Sequence, residues 1–361
     1  MKKLSRCQRC SCLCSLPTLR FTPPKKNMPS PTAIIPLTKG GKQLAQRLAT
    51  LLPGSTVVTN QGNIHHTLAQ AWQDHDSLIC IMATGIVVRS IAPLLQDKTV
   101  DPAVVVCDEQ GHFAVSLLSG HLGGGNALAQ KVANLLGGQA VITTASDVLG
   151  LTALDIWCRD MGFTVTDKQG LTRVMAKLVN TGSVTLYSEY PLPPFPPDIM
   201  LSKTPDTADL LVSCRTDQDR GAVLLYPKAL VAGIGCNRNT PAEEISEALD
   251  HACRVNNLAR ESVRNLASID LKNDEPGLLA FAHAQNLPLD FYSPDQLNQV
   301  EGVAASAAVL RATGAKAVAE PAAILSSGNG PLLVQKMKFP NVTVAIAEIC
   351  QPCTLPTTLT T

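Results

Sequence analysis

Residues 116–136 read SLLSGHLGGGNALAQKVANLL. An apolar segment passes through four glycines in six residues, 120–125, and then straight into a helical repeat, with His121 set among the glycines. Leu128, Val132, Leu135 and Leu136 recur at helical spacing, and Leu44, Leu48, Leu51 and Leu52 do the same earlier in the chain. Short continuous apolar runs lie around these repeats: LICIMA at 78–83, AVVVC at 103–107 and AVIT at 140–143. Such runs, bounded by turn residues and alternating with helices, predict strands buried on both faces of mainly parallel sheets flanked by helices, an α/β fold.

Working outward, residues 31–147 form an N-terminal α/β domain carrying the glycine-rich turn. Residues 148–226 read as a small α/β middle module: two helical patterns, a strand at SVTLYS, and YPLPPFPPDI, whose prolines stop any helix or central strand. Residues 227–350 form a second larger α/β domain. There a strand at 229–234 ends in Gly233 and Gly235, Thr240 is expected to cap a helix with Pro241 at its first position, and further strands follow at LASIDLK, LPLDFYS and VTVAIAEI. Residues 1–30 read as a disordered or mis-started leader and 351–361 as a tail.

Composition narrows the function. With 30 basic and 29 acidic residues the net charge is +1, and aromatics are 4%. This removes the electrostatic and stacking arguments for nucleic acid, and the former for an anionic membrane surface. No apolar run reaches the roughly 20 residues of a membrane helix, so a cytoplasmic protein is expected. Of twelve cysteines, four crowd the leader at Cys7, Cys10, Cys12 and Cys14 without the paired spacing of a zinc site; the rest are single and mostly in apolar segments. No metal site is expected.

A glycine-rich strand-to-helix turn exposes unpaired N–H groups at the positive end of the helix, which suits carboxylates or phosphates. Ser119, Gly120, Gly123, Gly124, Gly125 and Asn126 line this mouth. It lacks the endings of a P-loop or a dinucleotide fingerprint. A second mouth at Thr84 and Gly85 carries Arg89 one turn on, and a third strand end brings Thr144 and Asp147. All three are expected at one carboxyl edge of the sheet, where ligands bind. DEQGHF at 108–113 reads as a hairpin turn bearing His112. No nucleophile elbow, Ser-His-Asp order or H-E-x-x-H occurs.

The segment TGIVVRSIAPLLQDKTVDPAVVVCDEQGHFAVSLLSGHLGGGNALAQKVA (84–133) resembles the cobalt-precorrin-5A hydrolases, the CbiG family of anaerobic cobalamin biosynthesis. GIGCNRNT (233–240), ASIDLKNDEPGL (267–278) and VAEPAAIL (318–325) resemble that family's C-terminal part. The resemblance spans residues 31–348; the leader does not look like part of the family, and Asn237 and Asn239 fall in a variable part of the glycine turn. It implies an anionic, tetrapyrrole-derived macrocycle whose ring A δ-lactone is opened by water with loss of acetaldehyde. Cobalt travels with the substrate, so no protein cofactor is required. Other cobalamin-pathway enzymes are possible partners.

For that chemistry the sequence offers His121 as first candidate base and His112 as second, with the N–H groups of Gly123, Gly124 and Gly125 as oxyanion donors. Arg89, Gly233, Gly235, Asp270, Lys272 and Glu275 are candidates for holding the macrocycle. A non-catalytic protein that shields a corrinoid intermediate would use the same turns, and a nucleotide-binding regulator is a third reading. The first of these predicts that His121 and Asp147 are dispensable for turnover but not for binding.

Overall fold

Hydrophobic continuity builds the first sheet. In the computed structural model, which describes residues 19–21, 31–59, 62–97, 100–121, 123–218 and 221–350, the runs at 78–83 and 103–107 become neighbouring central strands. After β1 (Leu19–Phe21) come β2 (Thr32–Pro36), β3 (Ser55–Val57), β4 (Ser77–Ile81), β5 (Ala103–Cys107), β6 (Phe113–Leu118) and β7 (Gln139–Val141). Strands β2 to β7 form one sheet in the order β3-β2-β4-β5-β6-β7. Every residue of β5 is buried, because helices cover both faces. Leu44, Leu48, Ala129 and Val132 pack on one face; Leu68, Val87 and Ile91 pack on the other. These come from α1 (Lys39–Leu51), α2 (Ile64–Asp74), α3 (Thr84–Ile91) and α4 (Gly125–Leu136).

The pairing within this sheet changes direction once. β2 pairs in parallel with β3 and β4, and β4 with β5, but β5 and β6 are antiparallel. β7 then runs parallel to β6. The reversal is the hairpin at 108–112, where the Asp108 carboxylate accepts from the N–H groups of Gln110 at 2.8 Å and Phe113 at 2.6 Å. The carboxyl ends of β6 and β7 therefore lie beside the amino ends of β2 to β5. The glycine-rich mouth and the Thr144 turn share that edge. Thr84, Gly85, Arg89 and His112 are at the opposite one. The expectation of a single carboxyl edge fails because a hairpin inverts every strand that follows it.

The middle sheet has β8 (Val184–Ser188), β9 (Ile199–Leu201), β10 (Leu210–Val212) and β11 (Val223–Leu225), all parallel, in the order β11-β10-β8-β9. Its core is closed by α6 (Leu154–Asp160) and α7 (Lys168–Thr181), which follow the short α5 (Ala145–Leu149). Residues 191–196 have neither helix nor strand, as the prolines require.

The third sheet holds β12 (Leu230–Cys236), β13 (Val263–Ile269), β14 (Leu289–Tyr292), β15 (Leu332–Lys338) and β16 (Val342–Glu348), in the order β1-β14-β13-β12-β16-β15. β1 comes from the stretch read as a leader, and lies antiparallel to β14. The leader cysteines and the tail fall outside the described residues. Thr240 does not cap the next helix, α8 (Ala242–Val255): Pro241 takes the cap position, and the Thr240 hydroxyl donates to the Asn237 carbonyl at 2.9 Å. α9 (Pro276–Ala284) starts one residue after Glu275.

None of the described helices is long and apolar enough to cross a membrane. Gly233 is required by packing. A Cβ there would collide with the Ala319 carbonyl oxygen of the helix Ala319–Ser326, which lies directly on β12. Gly233→Ala is expected to destabilise the fold by about 1–3 kcal/mol, the usual cost of overpacking, read by urea denaturation. An unchanged midpoint would mean that this helix can back away.

Candidate active site

The chain leaves β6 through Ser119, a non-glycine residue at φ 53°, whose hydroxyl donates to the Asp101 carbonyl at 2.9 Å. The loop then closes on itself. The N–H groups of Gly124, Gly125 and Asn126 donate to the carbonyls of His121, Ser119 and Gly120 at 2.9, 3.0 and 2.9 Å. Gly124 caps α4 in the left-handed region, φ 83°, which is why a glycine is needed there. A Cβ on Gly125 would lie 2.7 Å from the Leu118 carbonyl oxygen, and one on Gly120 would lie 2.7 Å from Asn126 Oδ1. These glycines serve a tight turn. The expected oxyanion donors at Gly124 and Gly125 are already engaged by loop carbonyls.

The turn aims side chains instead. His121 Nε2 lies 3.0 Å from Asp147 Oδ2 and 3.2 Å from Ser146 Oγ. Asn126 Nδ2 donates to the same Asp147 oxygen at 3.0 Å and to Thr144 Oγ1 at 3.1 Å. The other face of the imidazole meets a residue from the middle module: His121 Nδ1 is 3.5 Å from Asp155 Oδ1. Asp155 is in the first turn of α6. His121 and Asp155 are largely covered, at 12% and 11% side-chain exposure, whereas Asp147 is 40% exposed. The cluster thus presents one open carboxylate backed by a largely covered imidazole. Val148 and Leu149, next to Asp147, are exposed as well.

Charge follows geometry. The Asp155 carboxylate, assisted by that of Asp147, raises the His121 pKa above its ordinary 6.5 against the opposing effect of burial. Burial pushes Asp155 upward, but the hydrogen bond and charge of His121, together with backbone N–H donors, hold the carboxyl below 3.8. With a carboxylate at each nitrogen, the imidazolium is the form that satisfies both, since only then do both nitrogens carry a proton. A base needs a free nitrogen. In this cluster both imidazole nitrogens face carboxylates, and Asp147 accepts from Asn126 while standing partly open to solvent.

The other candidates are elsewhere. The His112 side chain is 72% exposed on the hairpin, 4.0 Å from Asp108, at the far end of β6 from His121. It is not a second base for this cluster. Arg89 is exposed, and its guanidinium lies over Gly85, 3.5 Å from where a Cβ would stand, beside the exposed Thr84. In the third sheet, Asp270 and Lys272 sit in a turn just beyond β13. Lys272 Nζ pairs with the fully buried Glu275 at 3.2 Å, and Glu275 accepts from the Asn239 N–H at 2.6 Å, pinning that residue at φ 61°. A Cβ on Gly235 would meet Thr343 Oγ1 at 2.5 Å, so this glycine, like Gly233, serves packing. Among the described residues no hydrogen bond or ion pair links Asp270, Lys272 or Glu275 to the His121 cluster.

Asp155 is the residue that sequence reasoning missed. Its only local signal is an acidic side chain in the first turn of a helix, which is ordinary helix chemistry. Among the described residues no group of three or more His, Cys, Asp or Glu side chains is arranged to hold a metal ion.

The Cobalamin synthesis G N-terminal model matches residues 66–147, and the Cobalamin synthesis G C-terminus model matches residues 230–347. Asp155 falls between the two matched segments. The chain is 34% identical to the cobalt-precorrin-5A hydrolase of Priestia megaterium, across 88% of this chain and 94% of that one. It is 35% identical to the cobalt-precorrin-5A hydrolase of Salmonella typhimurium, across 88% and 97%. A solved cobalamin biosynthesis protein G homolog from Sulfolobus solfataricus is 20% identical, covers 89% of this chain and 97% of its own, and superposes with a TM-score of 0.37. Relatives above 30% identity aligned over nearly their whole length, with both end segments matched in order, make this chain a hydrolase belonging to the cobalt-precorrin-5A hydrolase (CbiG) family of cobalamin biosynthesis.

Proposed function

We propose that the chain opens the ring A δ-lactone of cobalt-precorrin-5A with water and releases the two-carbon fragment as acetaldehyde, leaving cobalt-precorrin-5B. The observation that carries this reading is the Asp147 carboxylate, partly open to solvent and with one oxygen fixed by His121 and Asn126. The relatives' names supply the substrate.

In this reading Asp147 takes a proton from the water that attacks the lactone carbonyl. The carbonyl–oxygen bond breaks, and the electron pair leaves on the former ring oxygen. The His121 imidazolium, paired behind by Asp155, stabilises that alkoxide. As the alkoxide becomes the carbonyl of acetaldehyde, its carbon–carbon bond to the macrocycle breaks. The released pair passes into the conjugated ring, which is protonated through solvent as Asp147 gives back the proton it took from water. Cobalt stays with the macrocycle throughout and is cargo of the substrate. Arg89, at the opposite edge of the sheet from the cluster, is not placed to meet a macrocycle bound there.

Anaerobic incubation with cobalt-precorrin-5A tests the proposal. Acetaldehyde equal in amount to the macrocycle consumed is the expected result. Tight binding with no acetaldehyde would instead make the chain a carrier of the intermediate.

A further inference from the structure

Ser146 stands inside the His121 cluster. Its hydroxyl oxygen lies 3.2 Å from His121 Nε2, the nitrogen that also meets Asp147 at 3.0 Å. We infer that the Ser146 hydroxyl is an oxyanion donor, which hydrogen-bonds the carbonyl oxygen of the lactone as that oxygen turns negative under attack by water. The inference rests on the hydrolase reading proposed above and adds the group that holds the tetrahedral intermediate.

The neighbours decide which way the hydroxyl hydrogen points. A carboxylate faces each nitrogen of His121, Asp147 at Nε2 and Asp155 at Nδ1, and a proton on both nitrogens satisfies the pair. A protonated Nε2 donates, so the Ser146 oxygen accepts from it and shares that N–H with Asp147. The serine's own hydrogen then points away from the ring. Among the described residues His121 is the sole hydrogen-bond partner of this hydroxyl, and at 6% exposure the residue has little water to turn to. A covered donor without an acceptor is costly to keep, and an acceptor on a ligand removes that cost.

The local fold holds that donor still. Ser146 is the second residue of α5, and Thr144 and Asp147 on either side of it are both tied to Asn126 Nδ2, at 3.1 and 3.0 Å. A donor fixed before the reaction needs no reorganisation as charge develops. Gly124 and Gly125 cannot take this part, since their N–H groups already donate to loop carbonyls.

Nε2 and Oγ are neighbours, and so are the two oxygens they meet. The oxyanion and the former ring oxygen sit on one tetrahedral carbon. Ser146 therefore holds the first while His121 holds the second, with Asp147 beside them to take the proton from water. No bond forms to Ser146 and no proton leaves it. Ser146, His121 and Asp155 also have the connectivity of a nucleophile, base and acid relay. That relay needs a bare Nε2, and a carboxylate 3.0 Å from Nε2 favours its protonated form instead.

The test uses the full chain and cobalt-precorrin-5A under anaerobic conditions. Ser146→Ala removes only the hydroxyl and keeps a residue that suits a helix. It should slow single-turnover acetaldehyde release about 10²- to 10³-fold, the usual cost of one lost oxyanion donor, while the Kd from absorbance titration stays within about threefold of the parent. Ser146→Gly lacks the hydroxyl too, and decides the matter if thermal melts show Ser146→Ala unfolded. Parental release by a folded variant overturns the donor role and leaves the hydrolase reading intact. A Kd weakened as much as release does the same, because the hydroxyl is then a ground-state contact. Mass spectrometry that finds the macrocycle esterified to Ser146 in quenched parent also overturns it, in favour of a nucleophile. A parent chain that releases no acetaldehyde removes both.

Discussion

Replacing Asp147 by asparagine is expected to leave the chain folded and to slow acetaldehyde release about 10²- to 10⁴-fold, the range for a positioned general base. The substitution is nearly isosteric. The new amide oxygen would still accept a hydrogen bond from His121 or from Asn126, each 3.0 Å from Asp147 Oδ2 in the parent, while the charge that receives the proton from water is lost. Binding should change much less than turnover, because the carboxylate is one group at the edge of a large ligand. Single-turnover release of acetaldehyde, measured beside an absorbance titration of the macrocycle, separates the two. Parental release by folded Asp147→Asn would move the base elsewhere. Asp155→Asn acts one step back, through His121. Its turnover should fall less at low pH, where the imidazole remains protonated, than at high pH, and that pH dependence distinguishes positioning from mere support of the fold.

His121→Asn is expected to slow turnover roughly a hundredfold or more and to change how stability depends on pH. The imidazole pKa is raised above 6.5 by the carboxylates of Asp155 and Asp147, so the stabilisation it contributes is complete below about pH 6.5 and is lost as pH rises through the raised value. Asp155 has a depressed pKa, so its contribution is complete above 3.8 and is lost as pH falls through the lowered value. Between those limits both partners are charged. Urea denaturation of parent and variant should therefore show the largest stability gap near pH 5.5 and a smaller one near pH 9. A gap that widens with rising pH would falsify the imidazolium assignment and return His121 to the role of base.

The same cluster shows what is local in this chain and what is not. The buried runs of β4 and β5, the helical repeats of α1 and α4, the hairpin at 108–112 and the proline stop after Tyr190 were all legible, because each depends on the residue types within one short segment. So was the glycine turn itself, since a left-handed cap at Gly124, the Asn126 side chain against Gly120 and the Leu118 carbonyl against Gly125 demand glycine locally. His121 and Asp147 were picked out on those grounds. The resemblance in the two end segments likewise identifies the family from residue identity alone.

Which residues face one another was a different matter. The hairpin reverses the direction of β6 and β7, and that one reversal puts His112, Thr84, Gly85 and Arg89 at the opposite edge from His121. Whether the loop N–H groups are free for an anion depended on how six residues fold back onto their own carbonyls. The second carboxylate on the imidazole comes from α6, whose packing against the middle sheet brings Asp155 to His121 across 34 positions of chain. A helical repeat says which face of α6 is buried and nothing about what its other faces meet. Burial and charge pairing between distant segments set the protonation of His121, and only tertiary packing creates them.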